Sequence, residues 1–138
     1  MIEFIYNRSK EFYAILPDMR AALHRLADKS EVDWTVDEIL EDIDLERLTI
    51  IKAADDGVFI LSEKGDYLDV RVGVAFSGHC KRLGEYYVQL HKAALAAGFK
   101  GITFASTRKG WQKSAKKYGF KPVSVTVTYL LEGDPDGQ

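Results

Sequence analysis

With 138 residues, 46% of them hydrophobic, the sequence has the length and apolar content of one domain built on a single core. A formal net charge of -2 argues against both wholesale nucleic-acid wrapping and an acidic solvating chain, and the single cysteine, Cys80, excludes an internal disulfide. No stretch approaches the length needed to span a bilayer, and the start carries no apolar leader, so the expectation is a soluble, cytoplasmic protein without membrane contact.

Residues 2–6 read as a short opening strand. Ser9 can then cap a helix whose apolar positions Phe12, Ile15, Met19, Ala22, Leu23 and Leu26 keep helical spacing. Pro17 interrupts that pattern and predicts a broken helix or two helices in tandem. Thr35-Val36-Asp37-Glu38 has capping-box spacing, and Ile39, Leu40 and Ile43 supply a buried face for a second helix over 36–47. Every ionisable residue from Glu31 to Glu46 is acidic, which is the pattern of a solvated helix face.

Strands at 48–53, 57–63 and 67–76 follow, separated by Asp55-Asp56-Gly57 and Lys64-Gly65-Asp66, turn chemistry for an antiparallel meander. In the third, Leu68, Val70, Val72 and Val74 alternate with Tyr67, Asp69, Arg71 and Gly73. A glycine at this place marks a bulge or a close approach by a ligand backbone. The strand then runs through Ser77-Gly78-His79-Cys80-Lys81-Arg82 straight into a helix over 83–97, with Leu83, Tyr87, Leu90, Ala94 and Ala97 on one stripe and Gly98 as its stop. A helix that begins directly after a strand presents unpaired N–H groups and the positive end of its dipole at one spot, a place for an anion such as a phosphate.

Residues 101–106 form a short apolar strand, making strand, helix and strand a parallel crossover. A brief basic helix over 111–117 is stopped by Gly119, and Val123, Val125, Val127, Tyr129 and Leu131 alternate with polar residues in a single final strand. The expected organisation is one domain over 1–132 and a flexible tail over 133–138. Arg108, Lys109, Lys113, Lys116, Lys117 and Lys121 form a run without an acid. With Trp111 interleaved, this run over 108–121 is either a solvated helix face or a surface for nucleic acid.

The order strand, two helices, three-strand meander, helix, strand, helix, strand, with Lys117-Tyr118-Gly119-Phe120-Lys121 closing the last helix, resembles the GNAT (GCN5-related N-acetyltransferase) superfamily over nearly the whole chain. The resemblance implies an α/β (α+β) fold: a mixed central sheet with an antiparallel N-terminal meander, a splayed parallel strand pair and flanking helices. It implies acyl-CoA-dependent N-acyl transfer, with acetyl-CoA as co-substrate, an amine as acceptor and no metal. It also places the pantetheine along the strand edge at Val74 and Phe76, and the diphosphate on the turn at Ser77, His79, Cys80, Lys81, Arg82, Leu83 and Gly84, with Arg108 nearby. Small phage-encoded proteins of this kind, some of them virion components, imply the alternative of a catalytically inactive module docking on protein or nucleic acid.

The pattern departs from the family at chosen places. Arg82 stands where the family's turn has its central glycine, and a guanidinium there can grip phosphate from the side. Ala115 stands where the family has its acidic tyrosine, which leaves Tyr118 or Tyr87 to protonate the thiolate. Asp69, with Glu63 next, is the candidate base on the fourth strand; the competing expectation pairs Asp69 with Arg71 or Lys64 on a solvent face. Cys80 beside Lys81 and His79 is a weaker nucleophile candidate, and His24 and His91 lack metal-ligand spacing. A single final strand would leave a sheet edge open and suggests a homodimer.

Overall fold

Alternation of apolar and polar residues builds the strands, and capped amphipathic runs build the helices. In a computed structural model, which describes residues 1–105, 116–117, 119–122 and 128–132, the elements follow in the order β1 (Ile2–Ile5), α1 (Lys10–Lys29), α2 (Val36–Asp44), β2 (Thr49–Ala53), β3 (Gly57–Lys64), β4 (Tyr67–Ala75), α3 (Leu83–Ala96), β5 (Gly101–Ala105), β6 (Lys121–Pro122) and β7 (Thr128–Glu132). The strands form one mixed sheet in the order β1-β2-β3-β4-β5-β7-β6. Strands β1, β2 and β3 pair antiparallel, β4 and β5 pair parallel, and β7 lies antiparallel between β5 and β6. The expected mixed sheet, with its meander and its parallel pair, is present. The chain forms two compact units, Met1–Ser62 with Val72–Lys81 and Glu63–Arg71 with Arg82–Gln138; β3 and β4 each run from one into the other.

In the first unit, Ser9 Oγ accepts the Phe12 N–H at 3.1 Å and opens α1, whose Phe12, Ile15, Met19, Ala22 and Leu23 are buried. The expected break at Pro17 does not occur, for α1 runs without interruption from Lys10 to Lys29. Proline already holds a helical φ and deprives only the Tyr13 carbonyl of its partner; Tyr13 and Pro17 lie on the exposed side, where water can take that carbonyl. Thr35 Oγ1 caps α2 by accepting the Glu38 N–H at 3.1 Å. The helix ends at Asp44, three residues short of the expected Arg47. Glu46 turns left-handed (φ 60°), and the Arg47 and Leu48 N–H groups fold back on the Asp42 carbonyl at 2.8 and 3.2 Å.

The core of this unit packs Phe12, Ile15, Met19 and Leu23 of α1 and Ile39 and Ile43 of α2 against Ile50, Val58, Ile60, Val72 and Val74 from β2, β3 and β4. Each such side chain removed from water contributes about 1.5–3 kcal/mol before entropy is counted. Arg8 bonds Asp44 Oδ1 through Nη2 at 2.8 Å and Nε at 3.1 Å, tying the start of α1 to the end of α2, and the carboxylate holds the guanidinium more firmly protonated.

In the second unit, the β4–β5 register runs from Tyr67↔Gly101 to Val70↔Phe104. Helix α3 buries Tyr86, Tyr87, Leu90, His91 and Ala94, a stripe rotated slightly from the expected one, with Leu83 half-buried and Ala97 exposed. Gly98 (φ 95°) ends it as expected. Phe120 lies buried with its ring edge-on to Phe104 (4.7 Å) and Tyr87 (5.2 Å). Lys116 and Lys117 are helical, and Gly119 (φ 88°) closes that helix by donating to the Lys116 carbonyl at 3.1 Å.

The expectation of a single final strand is overturned. Among the described residues two strands are present, paired through Lys121↔Leu130 and Pro122↔Tyr129. Lys121-Pro122 by itself shows no period-two alternation from which a strand could be read. Among the described residues, β6 covers β7 at Tyr129 and Leu130. The proposed tail at 133–138 lies outside the described residues.

Candidate functional site

The stretch that leaves β4 is shaped by local hydrogen bonds. Val74 is buried in the strand. Phe76 donates its N–H to the Asp56 carbonyl at 2.8 Å and accepts Arg25 Nη2 on its own carbonyl at 2.5 Å, so its main chain is engaged within the first unit. The Gly78 N–H returns to the Ala75 carbonyl (3.0 Å), and Gly78 takes φ 82°, a conformation a side chain would strain. Ser77 Oγ donates to the His79 carbonyl at 2.9 Å. Ser77, His79 and Lys81 are exposed and Cys80 is half-buried.

Helix α3 opens differently from α1 and α2. Its N-cap is Arg82 (φ -104°, ψ 24°), which contributes no side-chain bond to the first turn. Leu83, Gly84 and Glu85 therefore begin the helix without the side-chain acceptor that Ser9 and Thr35 supply elsewhere. Such an end, positive by its dipole, can take an anion. The Arg82 guanidinium lies along the helix, donating from Nη2 to Tyr86 Oη at 2.6 Å and placing its central carbon 5.3 Å from the centre of that ring. Tyr86 is 1% exposed, and sequence reasoning passed over it; the four-residue spacing of Arg82 and Tyr86 was the available signal.

Asp69 is half-buried on β4, and Thr103 Oγ1 donates to its Oδ1 at 2.7 Å from the register-partner position on β5. Thr103 was also missed. Its signal was a lone hydroxyl between Ile102 and Phe104 in an otherwise apolar strand. Glu63 is exposed at the far end of β3, and Tyr87 is buried with its ring against Phe120. His24 is exposed on α1, whereas His91 is buried on α3. Tyr118, Arg108 and Trp111 lie outside the described residues, as does most of the basic run; Lys116 and Lys117 are exposed. No helix among the described residues is long and apolar enough to cross a membrane.

No family model and no curated protein matches the sequence. Solved structures do match the fold. A Bacillus subtilis acetyltransferase in complex with CoA is 20% identical, with a TM-score of 0.59 over 89% of this chain and 77% of that one. The PaiA N-acetyltransferase of Thermoplasma acidophilum, in complex with coenzyme A, is 13% identical with a TM-score of 0.60 over 94% and 97%. AtaT complexed with acetyl-methionyl-tRNAfMet is 11% identical with a TM-score of 0.52 over 96% and 94%. The chain thus has the GNAT fold.

Proposed function

We propose that the protein is an acyl-CoA-dependent N-acetyltransferase that moves an acetyl group from acetyl-CoA to an amine. The observation that carries this reading is the first turn of α3, which follows β4 and opens without a side-chain cap in a fold shared with CoA-bound acetyltransferases. The diphosphate is assigned to the N–H groups of Leu83, Gly84 and Glu85 with the Arg82 guanidinium beside them. Asp69 is assigned as the base for the acceptor ammonium and Tyr118 as the acid for the departing sulfur. Titration calorimetry with acetyl-CoA and desulfo-CoA tests the reading: both should bind, and the absence of heat at millimolar ligand overturns it.

A second reading, a catalytically silent module of the same fold docking on nucleic acid or protein, draws on Arg82. A guanidinium replaces the glycine of the family's turn and is engaged by Tyr86. Gel shifts across a salt series separate the two readings, because phosphate contacts weaken steeply with salt. Retention at low salt by a protein that ignores acetyl-CoA favours the second.

A further inference from the structure

We propose that Thr103 is a positioning residue for acyl transfer, which fixes the Asp69 carboxylate so that Oδ2 takes the proton of the acceptor ammonium. The inference rests on the acetyltransferase reading above and adds to it a residue on a different strand. Asp69 and Thr103 are register partners on parallel strands, so their side chains stand next to each other on one face, one step before the last pair, Val70↔Phe104. Thr103 is 6% exposed between Ile102 and Phe104, both buried. A hydroxyl in such surroundings is costly to leave without an acceptor, which commits it to the one carboxylate oxygen it reaches at 2.7 Å.

The β-branched Thr103 has few χ1 choices, so the carboxylate it bonds is restrained as well. Among the described residues Thr103 is the side chain bonded to Asp69, and it occupies Oδ1. A proton arriving at the carboxylate is thereby directed to Oδ2. The acceptor ammonium gives one proton to Oδ2, and its nitrogen adds to the thioester carbonyl. Collapse of the adduct breaks the C–S bond; the acid assigned above gives its proton to the departing sulfur and takes the second amine proton in its place, and Asp69 returns its own proton to solvent. Orientation of this kind acts on the chemical step and leaves the hold on acetyl-CoA unchanged.

The test is a cycle of Thr103→Val, Asp69→Asn and the double variant, with Thr103→Ser as the conservative rescue. Thiol release from acetyl-CoA is followed with spermidine, free lysine and a lysine-containing peptide as acceptors. Thr103→Val, close in shape to threonine, should lower kcat about tenfold, as expected for one charge-assisted hydrogen bond, with KM for acetyl-CoA within about twofold. Thr103→Ser should keep most of the turnover, and Thr103→Val should cost less than about twofold when Asp69 is already Asn. The carbon-13 resonance of the Asp69 carboxyl should move in Thr103→Val and stay in place in Thr103→Ser, a readout independent of turnover. Undiminished kcat in Thr103→Val, or the same loss in both backgrounds, overturns the role of Thr103 and leaves the acetyltransferase reading standing. Full turnover in Asp69→Asn removes the base, and with it this proposal; a wild-type protein that acetylates none of the three amines overturns both.

Discussion

A Cβ placed on Gly57 would lie 2.1 Å from the Val74 carbonyl oxygen, a contact that main chain cannot relieve cheaply. The sequence presents Gly57 as the glycine of an Asp55-Asp56-Gly57 turn, yet the left-handed residue there is Ala54 (φ 48°) and Gly57 serves the approach of β4 to β3. At Gly73, by contrast, a Cβ would meet only the Phe59 ring at 3.5 Å, an ordinary contact. Gly57→Ala should therefore destabilise the protein by about 1–3 kcal/mol, whereas Gly73→Ala should change stability by no more than about 0.5 kcal/mol. Urea unfolding with an unchanged m-value measures both; equal midpoints for the two variants would contradict this account. The place of Asp69 on a strand was legible from alternation. Its bond with Thr103 was not, because register between strands is not written in either strand alone.

Among the elements, α1 shows how context sets the effect of a breaker. Pro17 lies on the exposed side, while Phe12, Ile15, Met19 and Leu23 hold the helix to the core on both sides of it. The packing outweighs one missing hydrogen bond, and the helix continues. Because an interior proline still costs up to about 3 kcal/mol, partly offset by a stiffer unfolded chain, Pro17→Ala should stabilise the protein by on the order of 1 kcal/mol. A higher melting temperature with unchanged far-ultraviolet circular dichroism is the expected result; a loss of stability would mean that the proline shapes the helix in some needed way. The caps Ser9 and Thr35 were readable because each acts on an N–H three residues away. The end of α2 was not, since Glu46 carries no mark of the left-handed turn that it makes.

For the whole molecule, ligand linkage gives the broadest prediction. If acetyl-CoA binds only the folded chain, a concentration one hundred times its Kd adds about 2.7 kcal/mol to the unfolding free energy, which is several degrees in Tm for a chain of this size. The rise should scale with the logarithm of ligand concentration, and a Tm indifferent to acetyl-CoA up to millimolar levels would count against the proposed function. Element order was the strongest signal at this scale: the meander, the crossover helix and the parallel pair were all legible and all occur.

The sequence by itself determined where helices start, which faces turn apolar and in what order strands follow, because caps, turns and periodicity act between residues a few places apart. Tertiary structure alone decided which distant groups meet. Thr103 reaches Asp69 across 34 positions and Arg25 reaches the Phe76 carbonyl across 51. Such meetings follow from strand register and helix packing, which are settled by the summed burial of many side chains and by no single local preference.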